Sequence, residues 1–234
     1  MTLKQIRTEL AALGDPDIAA HSSRYFQTGP GQYGEGDRFR GIRVPMLRKL
    51  ARKHRDITVA QAERLLHSPH HEDRLLALFI LVRQFQQGDA ARRERICRDY
   101  LANTGHINNW DLVDASAARI VGAFLSDRDH DPLDALARSE LIWERRIAIM
   151  ATGHFIGRGQ FDDTLRLAEA LLHDPQDLIH KAVGWMLREV GNRDREAEET
   201  FLQRHYQAMP RTMLRYAIER FPEERRRAYL AGRA

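Results

Sequence analysis

The stretch His180-Lys181-Ala182-Val183-Gly184-Trp185 has counterparts elsewhere in the chain, and their spacing decides the fold. Arg74-Leu-Leu-Ala-Leu-Phe79, Arg145-Arg-Ile-Ala-Ile-Met150 and Arg215-Tyr-Ala-Ile-Glu-Arg220 align with it, and the segments starting at 145, 180 and 215 are 35 residues apart. The step from 74 to 145 is 71 residues, about two periods, so a further member is expected near position 109 or 110. The segment found there is Trp110-Asp-Leu-Val-Asp-Ala115. A fixed period of this length marks a supersecondary unit that cannot bury its apolar face alone and therefore stacks on its neighbours.

Each unit reads as a helix pair. Val59 to His67 precedes Asp73 to Phe85, Leu133 to Arg138 precedes Trp143 to His154, and Phe161 to His173 precedes Leu178 to Val190. Ser68-Pro69 and Asp174-Pro175 supply turn signals between partners. Upstream, Met1 to Leu13 and Asp17 to Phe26 read as helices separated by Gly14-Asp15-Pro16. Pro45 suits the first turn of a helix over Met46 to His54. Between them, Thr28 to Phe39 holds four glycines and a proline, a composition that excludes helix and fits an extended loop or a small hairpin. The expected fold is all-α: one helical-repeat solenoid over residues 1–234, with a glycine-rich insert at 28–39 and a concave basic groove.

Composition narrows the partner. The chain has 37 basic and 33 acidic residues and a net charge of +4. Its lysines are Lys4, Lys49, Lys53 and Lys181, which leaves 33 arginines, the side chain that forks onto phosphate and stays charged. Clustering decides whether this bias means a polyanionic partner. Arg48, Lys49, Arg52 and Lys53 form one strongly basic surface on a single predicted helix. Cys97 is the sole cysteine, so no internal disulfide and no cysteine-based zinc cluster can be drawn, and it reads as a small buried apolar residue. No secretory signal and no apolar run of membrane-spanning length is evident, and the expectation is a cytoplasmic monomer.

The repeat also projects residues onto a common surface. Subtracting 35 per unit puts Arg146 in phase with 111 and, after two units, Trp185 in phase with 115, beside Trp110 and Asp114. At about 100° per residue these phases cover roughly 140° of one helix face. Two indoles, a carboxylate and a guanidinium make a poor dry interior, because unpaired buried charge is costly. Lining the groove, the carboxylate could stabilise a sugar developing oxocarbenium character and the indoles could pack on deoxyribose, while Arg146 held a phosphate. Spacing alone fits equally well an ion pair between Asp114 and Arg146 that only ties repeats together.

Trp110-Asp-Leu-Val-Asp114, Trp143-Glu-Arg-Arg146 and Lys181-Ala-Val-Gly-Trp185-Met-Leu-Arg-Glu189, with Gly41-Ile-Arg-Val-Pro45 upstream, resemble the DNA alkylation repair glycosylases of the AlkD type. The resemblance runs over nearly the whole chain. It implies HEAT-like repeats that wrap double-stranded DNA, alkylated or distorted, and excise cationic alkylpurines such as N3-alkyladenine and N7-alkylguanine without a deep base pocket. It further implies Asp114 as the catalytic carboxylate, Trp110 and Trp185 against the sugar, and Arg146 near a phosphate. DNA contacts would come from Tyr25, Arg43, Arg48, Lys49, Arg52, Lys53 and Arg188. With no lysine beside the set to act as nucleophile, hydrolysis is favoured over strand cleavage. Neither metal nor cofactor is implied. The 28–39 insert resembles the inserted hairpin of the AlkF and AlkG relatives, which points to an alternative, a non-catalytic binder of branched or distorted DNA. In that reading Tyr33, Arg38 and Arg40 could reach a groove or junction. His70-His71-Glu72-Asp73 reads as a solvated turn before a helix, with its acids at the positive helix end.

Overall fold

The computed structural model describes residues 2–234. Among the described residues every regular element is helical, and the one extended pairing is a parallel bridge between Arg38 and His70. Contacts divide the chain into two compact units, Met1–Ser116 and Ala117–Ala234.

The first unit contains α1 (Leu3–Ala12), α2 (Pro16–Tyr25), α3 (Val44–Lys53), α4 (Val59–Leu66), α5 (His71–Gln87) and α6 (Ala90–Ala102), and the division falls within α7 (Trp110–Ala117). Local chemistry sets the starts. Thr2 and Thr58 form capping boxes with Gln5 and Gln61, Asp15 and Asp89 accept backbone N–H groups, and Pro16 and Pro45 occupy first-turn positions. Helix α5 is the core element. Leu75 to Val82 are all buried along it, packed by α3, α4 and α6. Each buried Leu, Ile, Val or Phe side chain there stabilises the fold by about 1.5–3 kcal/mol relative to exposure.

The second unit begins with a π turn (Ala118–Gly122) and α8 (Ala123–Leu125). It continues with α9 (Asp131–Ala137), α10 (Ile142–Ala151), α11 (Gly153–Ile156), α12 (Asp162–Ala170), α13 (Asp177–Gly191), α14 (Arg195–His205), α15 (Arg211–Ala217) and α16 (Glu223–Leu230). Here α13 is central, contacted by α10, α12, α14 and α15. Gly184 explains the close seat of α15, since a Cβ at 184 would lie 2.4 Å from the Met213 carbonyl oxygen.

The expected helix pairs are present as α4 with α5, α9 with α10 and α12 with α13, and the member expected near 110 is α7. The structure also gives the repeat a physical basis. At three of its positions the leading side chain reaches back six residues to a carbonyl of the turn joining the helix pair. Arg74 Nη1 donates to Ser68 O at 3.2 Å, Arg145 Nη1 to Ser139 O at 2.9 Å, and His180 Nε2 to Asp174 O at 2.5 Å. A turn carbonyl that would otherwise lack a partner is thereby satisfied from the start of the helix that follows.

Two expectations are corrected. The 28–39 segment is not a hairpin: it is a run of tight turns, with backbone bonds from Gln32 N to Gly29 O, Glu35 N to Gln32 O and Asp37 N to Gly34 O. Gly31 and Gly36, at φ +72° and +81°, lack the side chain that would strain such turns. The start of α5 is not a solvated turn either, because His71, Glu72, Asp73 and Arg74 are all buried. Their charges find partners in the segment 37–42, an arrangement that composition cannot foretell.

Candidate nucleic-acid interface

Asn109 starts the motif helix. It is wholly buried, and its Oδ1 accepts the Trp110 N–H at 2.9 Å, fixing the first residue of α7. The half-buried Trp110 ring stacks on Phe26 (centroids 5.2 Å, 25° between planes) and meets Tyr25 edge-on at 6.1 Å. Tyr25 is 59% exposed, so much of its ring faces solvent. Asp114 lies one helical turn beyond Trp110 and is half-buried. Below it, the Tyr100 hydroxyl bonds to Ser116 Oγ at 3.0 Å. Burial foremost, and the Asp114 charge among lesser causes, pushes the Tyr100 phenol far above its ordinary range.

Behind this face sits a charge network. His71 is held at both ring nitrogens, Nδ1 to Asp37 Oδ2 at 2.9 Å and Nε2 to Asp111 Oδ2 at 2.8 Å. Its ring packs on Phe39 (4.6 Å) and on Phe26 (5.0 Å). Burial alone would depress its pKa, but the Asp111 and Asp37 carboxylates outweigh burial and raise it to about 9. Asp37 also accepts from Arg74 Nη2 at 2.6 Å. Burial would raise the Asp37 pKa, yet the His71 bond and the Arg74 charge hold it below the ordinary value.

The Gly41-Ile-Arg-Val-Pro45 stretch is anchored beside the network. Glu72 accepts three backbone N–H groups, from Arg40 at 2.8 Å, Gly41 at 2.7 Å and Ile42 at 3.2 Å. Gly41 has φ +82°, and a Cβ there would lie 2.0 Å from the Asp15 carbonyl oxygen, so glycine is required on both counts. Arg40 forks onto Asp73, with Nε at 2.7 Å from Oδ1 and Nη2 at 3.0 Å from Oδ2. The expectation that Arg40 reaches toward DNA is therefore corrected, because its guanidinium is already spent inside the first unit. Arg38 is exposed, and the half-buried Tyr33 donates to Tyr25 O at 3.5 Å.

Helix α3 turns Leu47, Leu50 and Ala51 inward and leaves Arg43, Arg48, Lys49, Arg52 and Lys53 exposed around it. Two of these have internal partners: Arg48 lies over the Phe79 ring at 4.8 Å, and Lys53 pairs with Glu9 at 2.5 Å.

The second unit carries the rest of the expected set. Arg146 is 4% exposed, and its Nη1 donates to Leu178 O at 2.6 Å, which anchors the first turn of α13. Trp185, on the same α13, is half-buried, with Nε1 donating to Glu189 Oε1 at 3.3 Å. Arg188 is paired with Glu219. Among the described residues no group of three or more His, Cys, Asp or Glu side chains is arranged to hold a metal, and no helix is long and apolar enough to cross a membrane.

Sequence reasoning missed Phe26, Asp37, Phe39 and Asp111, and took His71 for part of a solvated turn. Asp111 stood inside the quoted motif, and its signal was a second carboxylate next to the tryptophan. The others gave no signal, since their meeting depends on how the glycine-rich segment folds back.

Helical repeats with an exposed aromatic face and a basic helix define a class of all-α repeat proteins suited to a polyanion. The chain belongs to the DNA alkylation repair enzyme family, whose model matches residues 6–221. Among solved structures it resembles a predicted DNA alkylation repair enzyme from Enterococcus faecalis, at 17% identity and a TM-score of 0.69, covering 90% of this chain and 97% of that one. It also resembles AlkD2 from Streptococcus mutans, at 14% identity and a TM-score of 0.55, covering 87% and 97% of the two chains. The protein smu.31 from Streptococcus mutans is similar at 15% identity and a TM-score of 0.54, with 74% and 89% covered. These likenesses extend to the fold. No curated protein matches the chain.

Proposed function

We propose that this member of the family is a monofunctional DNA glycosylase that hydrolyses the N-glycosidic bond of cationic alkylpurines, N3-alkyladenine and N7-alkylguanine, in duplex DNA. The observation that carries the reading is the exposed Tyr25 ring beside Trp110, with the Asp114 carboxylate one helical turn further along α7. Aromatic faces attract cationic, electron-poor groups and pack on deoxyribose. As the C1′–N bond breaks, its electron pair neutralises the departing purine, and a carboxylate stabilises the oxocarbenium-like sugar. Water oxygen then bonds to C1′ and its proton passes to Asp114. An already cationic base needs no acid to help it leave.

Trp185 is assigned to sugar packing as the resemblance implies. The burial of Arg146 favours a supporting role, holding the start of the helix that bears Trp185, over direct grip on a phosphate. Phosphate contact is assigned to Arg43, Lys49 and Arg52 first, with Arg48, Lys53 and Arg188 secondary because each has an internal partner.

The decisive experiment is release of methylated bases from alkylated duplex DNA by wild type and Asp114→Asn. Removing one electrostatic stabiliser should cut release by about 10² or more with little change in DNA affinity. Loss of thermal stability with unchanged release per folded molecule would instead make Asp114 structural. A second reading, binding of branched or distorted DNA without catalysis, is favoured by the 28–39 segment, whose Phe39 stacks on Phe26 directly behind Trp110. Tighter binding to a four-way junction than to linear duplex, with no base release, would select it.

A further inference from the structure

We propose that His71 is a positioning residue, which joins the glycine-rich segment to the first turn of α7 and so fixes the Trp110–Tyr25 face. The inference rests on the reading of that face as the surface that meets DNA.

The geometry is specific. His71 bonds at once to Asp37, at the end of the segment, and to Asp111, the residue next to Trp110. Those partners lie 34 and 40 residues away in sequence, so the contact joins elements that no local structure connects. The groups facing the ring are Asp37 from the segment, Asp111 from α7, the Phe26 and Phe39 rings, and, through Asp37, Arg74 of its own helix. An imidazole donates from both nitrogens only when protonated. Its pKa near 9 keeps it so at neutral pH. Above that pH a single N–H faces two carboxylates, and one of the two links must lose its hydrogen bond. If the lost link is that to Asp111, the start of α7 is released from the segment.

The test follows ring C–H resonances of His71 and Trp110 by NMR from pH 6 to 10 in the full chain. A duplex-binding assay accompanies it, with wild type and His71→Gln compared, and the Trp110 signal assigned with Trp110→Phe. The expected result is a His71 midpoint near 9, a Trp110 signal that moves with the same midpoint in wild type but not in His71→Gln, and about tenfold weaker duplex binding by the variant. A His71 midpoint near its ordinary value overturns the proposal. So does a Trp110 signal indifferent to His71 protonation, even where the variant is less stable, because that is the pattern of a merely structural residue. If His71→Gln does not fold, the wild-type titration decides alone. The NMR readout needs neither DNA nor catalysis. Coupled titration without base release therefore supports the positioning role while refuting the glycosylase, and base release without coupling does the reverse.

Discussion

Arg74 and Arg145 occupy the same position of the repeat and reach back to equivalent turn carbonyls, yet their charges are answered from different places. Arg145 finds its carboxylate within the repeat array, Asp174 Oδ2 at 2.6 Å from Nε, in the turn between α12 and α13 of the following pair. Arg74 finds its carboxylate in Asp37, at the end of the glycine-rich segment. The segment also answers His71, and the stretch just after it answers Glu72 and Asp73. A regular repeat thus closes its own electrostatics, whereas the start of α5 depends on a piece of chain outside the repeat. A glycine-rich segment that resembles a dispensable loop in composition is a structural member here.

The largest expected effect comes from removing those two carboxylates in turn. Asp37→Ala leaves the Arg74 and His71 side chains, 5% and 2% exposed, without their shared partner. Breaking a buried pair in this way costs about 3–5 kcal/mol. Asp174→Ala acts on a pair whose arginine is 12% exposed and still has the Ser139 and Glu140 carbonyls to bond, so a loss of about 1–3 kcal/mol is expected. Denaturant unfolding of both variants measures the difference. Equal losses would mean the segment is no more essential than an ordinary repeat turn.

That contrast marks how far the sequence could be read. Periodicity located the helix pairs, and the hexapeptides starting at 74, 145 and 180 marked the side chains that lock each turn, because a repeat must satisfy its own backbone. Trp110 was legible in a matched motif and Tyr25 only as a DNA contact implied by the resemblance; that the two rings meet in the first unit was not foreseen. The network around His71 was not legible. Its members are scattered over positions 37, 71, 74 and 111, and each alone looks like an ordinary surface or capping residue. Glycine-rich turns have no periodicity from which to project a direction, so the burial of Asp37 and the capture of Arg40 by Asp73 emerge only in the folded chain.

A smaller effect, of opposite origin in the two units, appears with pH. In the first unit His71 titrates near 9 against an ordinary 6.5, so the folded chain binds its proton more tightly than the unfolded one. Its contribution is fully present below pH 6.5 and is lost as pH rises through 9. In the second unit Glu198 is buried, its Oε1 has no hydrogen-bond partner, and burial pushes its pKa up to about 8 from 4.5. A Cβ at Gly191 would sit 1.6 Å from Glu198 Oε2, so only glycine leaves room for this carboxyl group. The sign is again a loss with rising pH, but in an earlier window, between 4.5 and 8. Each group contributes at most about 1.4 kcal/mol per pH unit inside its window. Glu198→Gln should flatten the stability profile between pH 5 and 6.5, where Glu198 acts alone, and His71→Gln should flatten it between pH 8 and 9, where His71 acts alone; between 6.5 and 8 either change should only reduce the slope. Profiles from denaturant titrations that respond to neither change would remove both assignments.

The smallest effect separates side chains on a single helix. Lys49 and Lys53 both belong to the basic surface of α3, but Lys53 is held by Glu9 at 2.5 Å, whose carboxyl pKa that bond draws below its ordinary value. Lys49 is exposed. A lysine already neutralised within the protein releases fewer counterions when it meets a phosphate, because the carboxylate must first be given up. Each full phosphate contact steepens the fall of log K with log salt by roughly 0.9. Lys49→Gln should therefore lower the measured salt slope by nearly that amount, and Lys53→Gln by clearly less, with affinity at moderate salt falling less than tenfold in either case. Duplex binding by fluorescence anisotropy across a salt series reads both numbers. Equal slope changes would show that Glu9 yields Lys53 to DNA at no electrostatic cost, and unchanged slopes in both would place the DNA on another surface than α3.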